Sequence, residues 1–165
     1  MGYDVQIRRI GIEAVIDLQG QAVDIAAWVK GEPPAFPDSA NRFNERDGMR
    51  LCWVAPQRWL LRAPIDQEAS LLEMTQPSAA PLEISIVQVS DTLCFFDISG
   101  PEAGEIISIA CSLDHHPSVF PDHAVSYTNV FGIKGLLFRN NSGFEIAAES
   151  SFADMLEDYL ARANA

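Results

Sequence analysis

Basic residues, cysteines and glycine-rich loops are all scarce in this 165-residue chain, and each scarcity excludes something. Only 11 Lys and Arg stand against 23 Asp and Glu, a formal charge of -12. Such a surface repels phosphate backbones and anionic headgroups, so neither nucleic acid nor a membrane is an expected partner. The three cysteines, Cys52, Cys94 and Cys111, are odd in number and lack a CxxC spacing. That argues against a disulfide framework or a thiolate zinc site, and for a reducing, cytoplasmic compartment. The stretch "MGYDVQIRRIGIEAVIDLQG" is interrupted by Glu13 and Asp17 and does not read as a signal peptide. Runs long and apolar enough to span a membrane are lacking as well. No GxSxG elbow or P-loop occurs, and "GPEAG" is one glycine short of a dinucleotide fingerprint. No catalytic, cofactor-binding or metal-ligating residue is therefore expected in this chain.

What is present is ordinary globular material, 48% hydrophobic and 21% charged, enough for a substantial core. Alternation marks strands at 10–18, "MRLCWVA", "RWLLRAP", "LEISIVQVS", "LCFFDIS", "VSYTNVF", "GLLFRNN" and "FEIAAES". Helical spacing marks Ala22, Ile25, Ala26 and Val29, then "IDQEASLLEMT", then Ala103, Ile106, Ile107 and Ala110. A last helix is expected from Ser151, with Asp154 completing an approximate capping box and Phe152, Met155, Leu156, Tyr159 and Leu160 facing inward. "IDLQG" plus its helix matches "FDISG" plus its own. The chain thus reads as two similar βαββα-type halves, about 10–80 and 83–165, in one α+β domain over 1–165 with a mainly antiparallel sheet and helices packed on it.

One stretch invites a chemical reading: "CSLDHHPSVFP" gathers a thiol, a carboxylate and two imidazoles. Adjacent side chains on an extended segment point apart, so His115 and His116 are poorly placed for one ion. Cys111 sits where the helix pattern stops, and Asp114 where a turn is needed. Helix end and turn is the favoured reading. Trp53 and Trp59 fall in strand patterns and read as core, while Arg58, Arg62 and Lys134 read as solvated charges. The segment from Gly31 to Asp47 is long, proline-rich and irregular, a pattern suited to docking on a partner, with Phe36 and Phe43 as candidate contacts.

With the halves aligned, "SGPEAGEII", "CSLDHHPSVFP", "WVAPQRWLLRAP" and "ESSFADMLEDYL" resemble the folate-binding aminomethyltransferase superfamily, and within it the gamma subunits of heterotetrameric sarcosine oxidase. The resemblance runs from about residue 10 to the C-terminus. It implies a non-catalytic subunit bound to a large flavoprotein and other subunits, in a complex that oxidatively demethylates N-methyl amino acids. FAD, FMN, NAD, zinc and tetrahydrofolate would then belong to the partner subunits. It also implies that Cys111 to Pro121 is a structural turn. Where the aminomethyltransferases carry acids, this chain has Lys134 and Gly135, which removes the carboxylate that would act on a folate-bound one-carbon unit. The alternative is a stand-alone folate-binding one-carbon transfer protein; a third reading is an unrelated interaction module.

Overall fold

A computed structural model describes residues 2–165. Strands β1 (Gln6–Ile10), β2 (Glu13–Gln19), β3 (Phe43–Arg46), β4 (Met49–Ala55), β5 (Arg58–Pro64), β6 (Ser85–Gln88), β7 (Leu93–Ser99), β8 (Val125–Val130), β9 (Ile133–Asn140) and β10 (Gly143–Glu149) alternate with helices α1 (Ala22–Trp28), α2 (Glu68–Thr75), α3 (Ala103–Ala110) and α4 (Ala153–Ala163). The α+β class with two similar halves is what the structure shows. The strands divide between two five-stranded sheets, in the orders β3-β4-β5-β2-β6 and β1-β7-β10-β9-β8, with antiparallel pairing throughout. They do not continue as one sheet. Each half contains three strands between its helices, because Phe43–Arg46, read from sequence as loop, pairs with β4. Four residues rich in polar side chains are too short a run for alternation to register.

The chain forms two compact units, Ile12–Asp91 on one hand, and Thr92–Ala165 with the residues up to Gly11 on the other. In the first, Ile16, Leu18, Leu51, Trp59, Leu61, Ile25, Leu71 and Ile86 make one buried cluster. In the second, Phe96, Ile98, Ile106, Ile107, Leu137, Phe144, Ile146, Leu156 and Leu160 make another. Both follow from period-2 strands meeting helices that are apolar on one stripe.

The two sheets share one topology, with a crossover. In chain order β1 leads into β2 and β6 leads into β7, but β1 pairs with β7 and β6 pairs with β2. Each half's leading strand completes the other half's sheet. Two glycines make the exchange possible. Gly20 and Gly100 follow β2 and β7, each the neighbour of an edge strand, with φ of +136° and +122°, conformations costly for any other residue. A Cβ on Gly20 would lie 2.8 Å from Ile84, just before β6; one on Gly100 would lie 2.6 Å from the Asp4 carbonyl, just before β1. Their amides reach equivalent hairpin turns, Gly20 N–H to Gln57 O at 3.0 Å and Gly100 N–H to Ser142 O at 3.4 Å. The "LQG" and "ISG" stretches match because both leave room for a crossing strand.

The last helix departs from expectation in detail. A 3-10 turn at Ser150–Phe152 precedes α4, whose N-cap Phe152 makes no side-chain cap bond, so the capping box does not form. Leu156 and Leu160 are buried, while Phe152 and Tyr159 keep 36% and 37% of their surface in water.

Candidate functional site

The stretch that looked most chemical is built as a fastening. Helix α3 stops at Ala110 because Cys111 turns extended, with φ of −148° and ψ of 158°. Asp114 then accepts a bond from the His116 backbone N–H at 2.9 Å, and His116 Nδ1 pairs with the Ser118 hydroxyl at 2.7 Å. His115 turns the other way and sets its ring edge-on to Phe144, 5.4 Å between centroids. Arg139 at the end of β9 holds the stretch in place. It donates from Nη1 to the His115 carbonyl at 2.8 Å, lies 3.5 Å from Asp122 Oδ1, and stacks over Phe144 at 5.1 Å. Those groups and the Asn140–Gly143 hairpin line a cavity of about 580 Å³ beside the Gly100–Pro101 turn.

Reactivity does not follow from this arrangement. The Cys111 thiol is buried, and desolvation pushes its pKa above the ordinary thiol value, partly offset by bonds to the Leu113 backbone and the Thr128 side chain. A raised thiol pKa keeps the sulfur protonated and poorly nucleophilic at neutral pH. The Cys94 thiol is raised for the same reason. The Arg139 charge faces Asp122, so the cavity carries no concentrated charge of either sign. Among the described residues, no three or more His, Cys, Asp or Glu side chains converge as a metal would require.

The proposed docking aromatics occupy structural positions. Phe43 in β3 is 1% exposed, with the Arg50 guanidinium 5.1 Å above its ring. That ring packs in the protein's interior. Phe36 is half-buried and meets Trp59 edge-on at 5.2 Å. Trp53 stacks on Trp59 at 6.0 Å, both as strand residues. Arg62 and Arg58 depart from the solvated reading. Arg62 is 2% exposed and grips Glu13 at 2.6 Å, and Arg58 pairs with Asp17 at 2.8 Å. Cross-strand partners are invisible until the β2–β5 register brings them together. Lys134 extends its ammonium over the Tyr127 ring at 4.9 Å. Gly135 beside it lets β9 approach β10, since a Cβ there would lie 2.7 Å from the Ala147 carbonyl.

A surface feature was missed. Helix α1 buries Ile25 alone; Val23, Ala26 and Ala27 face water, Val23 with 72% of its surface exposed. The signal was present: "AVDIAAW" has one charge in seven residues, where a surface helix should show a polar face. At its end, the Trp28 indole donates to Thr75 O at 2.8 Å and the Lys30 amide to Met74 O at 2.9 Å, joining α1 to the end of α2.

Comparison with known proteins gives this geometry its context. The sequence pattern of the sarcosine oxidase, gamma subunit family matches residues 43–165. The chain belongs to that family. The gamma subunit of sarcosine oxidase from Corynebacterium sp. (strain U-96) is 25% identical over 153 residues, spanning 92% of this chain and 72% of the relative. Among solved structures, a chain of heterotetrameric sarcosine oxidase from Corynebacterium sp. U-96, in complex with pyrrole 2-carboxylate, superposes with a TM-score of 0.80 at 21% identity. That match covers 98% of this chain and 86% of the other. Glycine cleavage system aminomethyltransferase T from Bartonella henselae superposes with a TM-score of 0.70 at 16% identity, over 95% of this chain and 45% of that enzyme. This member of the gamma subunit family therefore has the fold of sarcosine oxidase and aminomethyltransferase chains. Its "CSLDHHPSVFP" stretch is a turn held by Arg139.

Proposed function

We propose that the chain is the non-catalytic gamma subunit of a heteromeric, flavin-dependent sarcosine oxidase-type complex that oxidatively demethylates N-methyl amino acids in the cytoplasm. In this reading both units, residues 1–165, act as one structural piece bound to a large flavoprotein and the other subunits. The partners hold FAD, FMN, NAD and zinc, with tetrahydrofolate as one-carbon acceptor on a partner subunit. The observation that carries it is the family match across residues 43–165, joined to a fold that covers nearly the whole chain. The buried, protonated Cys111 and the internally paired Arg139 fit a subunit that contributes structure rather than reacting groups.

Co-expression with the large flavoprotein and the other subunits from the same genome tests the proposal. A tag on this chain should bring down a yellow complex that oxidises sarcosine or another N-methyl amino acid, while the chain alone is colourless. Recovery of the chain by itself from cells producing all the subunits would defeat the reading.

The fold likeness to aminomethyltransferase T sustains a second reading, a stand-alone folate-binding one-carbon transfer protein. Calorimetry separates the two. Stoichiometric tetrahydrofolate binding to the isolated chain favours the second reading, and binding only within the complex favours the first.

A further inference from the structure

We propose that the outward face of α1, continued by the groove at the end of α2, is where this chain docks to a larger subunit that presents an apolar ridge edged with Lys or Arg. The inference rests on the complex-subunit reading above and names its surface.

The molecule supplies its own comparison. Helices α1 and α3 stand at equivalent places, following β2 and β7 and a positive-φ glycine, Gly20 or Gly100. In its unit α3 buries Ala103, Ile106, Ile107 and Ala110 and leaves Ile109 alone of its branched residues exposed. The equally apolar α1 buries Ile25 alone and leaves Val23, Ala26 and Ala27 in water. A helix that is apolar on its outer face is unfavourable in a monomer and favourable once that face is covered. The apolar surface does not end with α1. Bonds from Trp28 and Lys30 to the end of α2 bring in the half-buried Val29, Leu72 and Met74. A shallow groove of about 580 Å³ follows, lined by Leu72, Pro77 and Ala79 together with the polar Glu73, Gln76 and Gln88. Such a path of small and branched apolar groups with an adjoining recess suits a protein ridge.

Charge selects the occupant. Asp24 on α1, Glu32 after it and Glu73 at the groove are exposed, and Lys30 is the exposed cation between them. The Arg46 guanidinium is paired with Glu32. With Glu32 held by Arg46, Asp24 and Glu73 still outnumber Lys30, and on a chain of charge -12 they disfavour a second copy or an anionic surface and complement a basic-edged partner.

The test uses the co-expressed complex. Val23→Lys with Ala26→Lys replaces exposed apolar groups by charges that meet the partner's own cations. The partner flavoprotein should bind this variant about 100-fold more weakly, as expected for central interface positions, while the melting temperature of the isolated chain is unchanged. Ile109→Lys, on the exposed side of α3, should assemble like wild type. Should the double variant melt early, Asp24→Lys with Glu73→Lys serves instead: it alters only exposed charges, and it should weaken assembly and flatten its salt dependence. If wild type captures no flavoprotein, the subunit reading fails and this surface with it. If wild type assembles and both double variants bind with wild-type affinity, the subunit reading stands and the docking surface lies elsewhere. A wild-type homodimer in sedimentation, dissociated by Val23→Lys with Ala26→Lys, would assign the face to self-association and overturn the proposal.

Discussion

Gly20 and Gly100 carry more of the architecture than any catalytic-looking side chain. Replacing Gly100 with Ala puts a Cβ against the Asp4 carbonyl at a φ that L residues rarely adopt. The expected cost is about 2 kcal/mol, the usual penalty for one strained backbone position held by its surroundings. Gly20→Ala should cost less than Gly100→Ala, because its nearest contact is a methyl group of Ile84 and the backbone oxygen of Glu83 lies at 3.2 Å, against 2.6 Å for the Asp4 oxygen at Gly100. Chemical denaturation of the two variants checks both the size and the order; an Ala at position 100 with wild-type stability would refute the crossing-strand explanation. At this scale the sequence was partly legible. "IDLQG" and "FDISG" could be matched by eye, since identical backbone demands select identical residues. The pairing of Arg62 with Glu13 could not be seen, because 49 residues of chain separate them and only the sheet register joins them. Likewise, the burial of Phe43 could not be read while its strand was unrecognised.

Strands β4, β5 and β7 were readable to the residue from their apolar and aromatic runs bounded by turn residues, and α3 from its spacing of apolar positions. Two of the edge strands, β1 and β3, were not. β1 and β3 have five and four residues with few apolar ones, and an edge strand buries too little for the period to show. The candidate site divides in the same way. The turn at Cys111–Pro121 could be inferred from its Asp and Pro, but its fastening by Arg139 depends on a contact across 24 residues. Removing residues 2–11 tests the value of one such inconspicuous element. It strips β1 from β7, exposes the hydrogen-bonding edge of β7, and deprives α4 of the Arg9 contacts to Asp154 and Glu157. We expect a lower melting temperature and loss of soluble protein, since a newly bared, apolar sheet edge is a template for aggregation. Unchanged melting and solubility would mean that β1 is dispensable.

On the scale of the whole molecule, the exchanged strands predict that the chain can be cut in two and still assemble. Leu82 is fully exposed between α2 and β6, a position suited to a break. Fragment 1–81 carries the strand that β7 requires, and fragment 82–165 carries the strand that β2 requires. Produced together, they should co-purify as a one-to-one pair with the circular dichroism of the intact chain. Produced alone, each should melt without a sharp transition; a sharp, full-stability transition for either fragment by itself would contradict the exchange. The same connectivity imposes a timetable during translation. β1 leaves the ribosome well before β7, so Ile10 must wait for Phe95 and Gln6 for Ser99. At ~5–20 residues per second that is roughly ten seconds of exposure for an unpaired strand. Its sequence, "QIRRI", places two adjacent arginines at its centre. Like charges on a waiting strand discourage premature pairing with a neighbouring nascent chain, so Arg8 and Arg9 serve as a safeguard during synthesis before Arg9 serves as a contact in the finished protein.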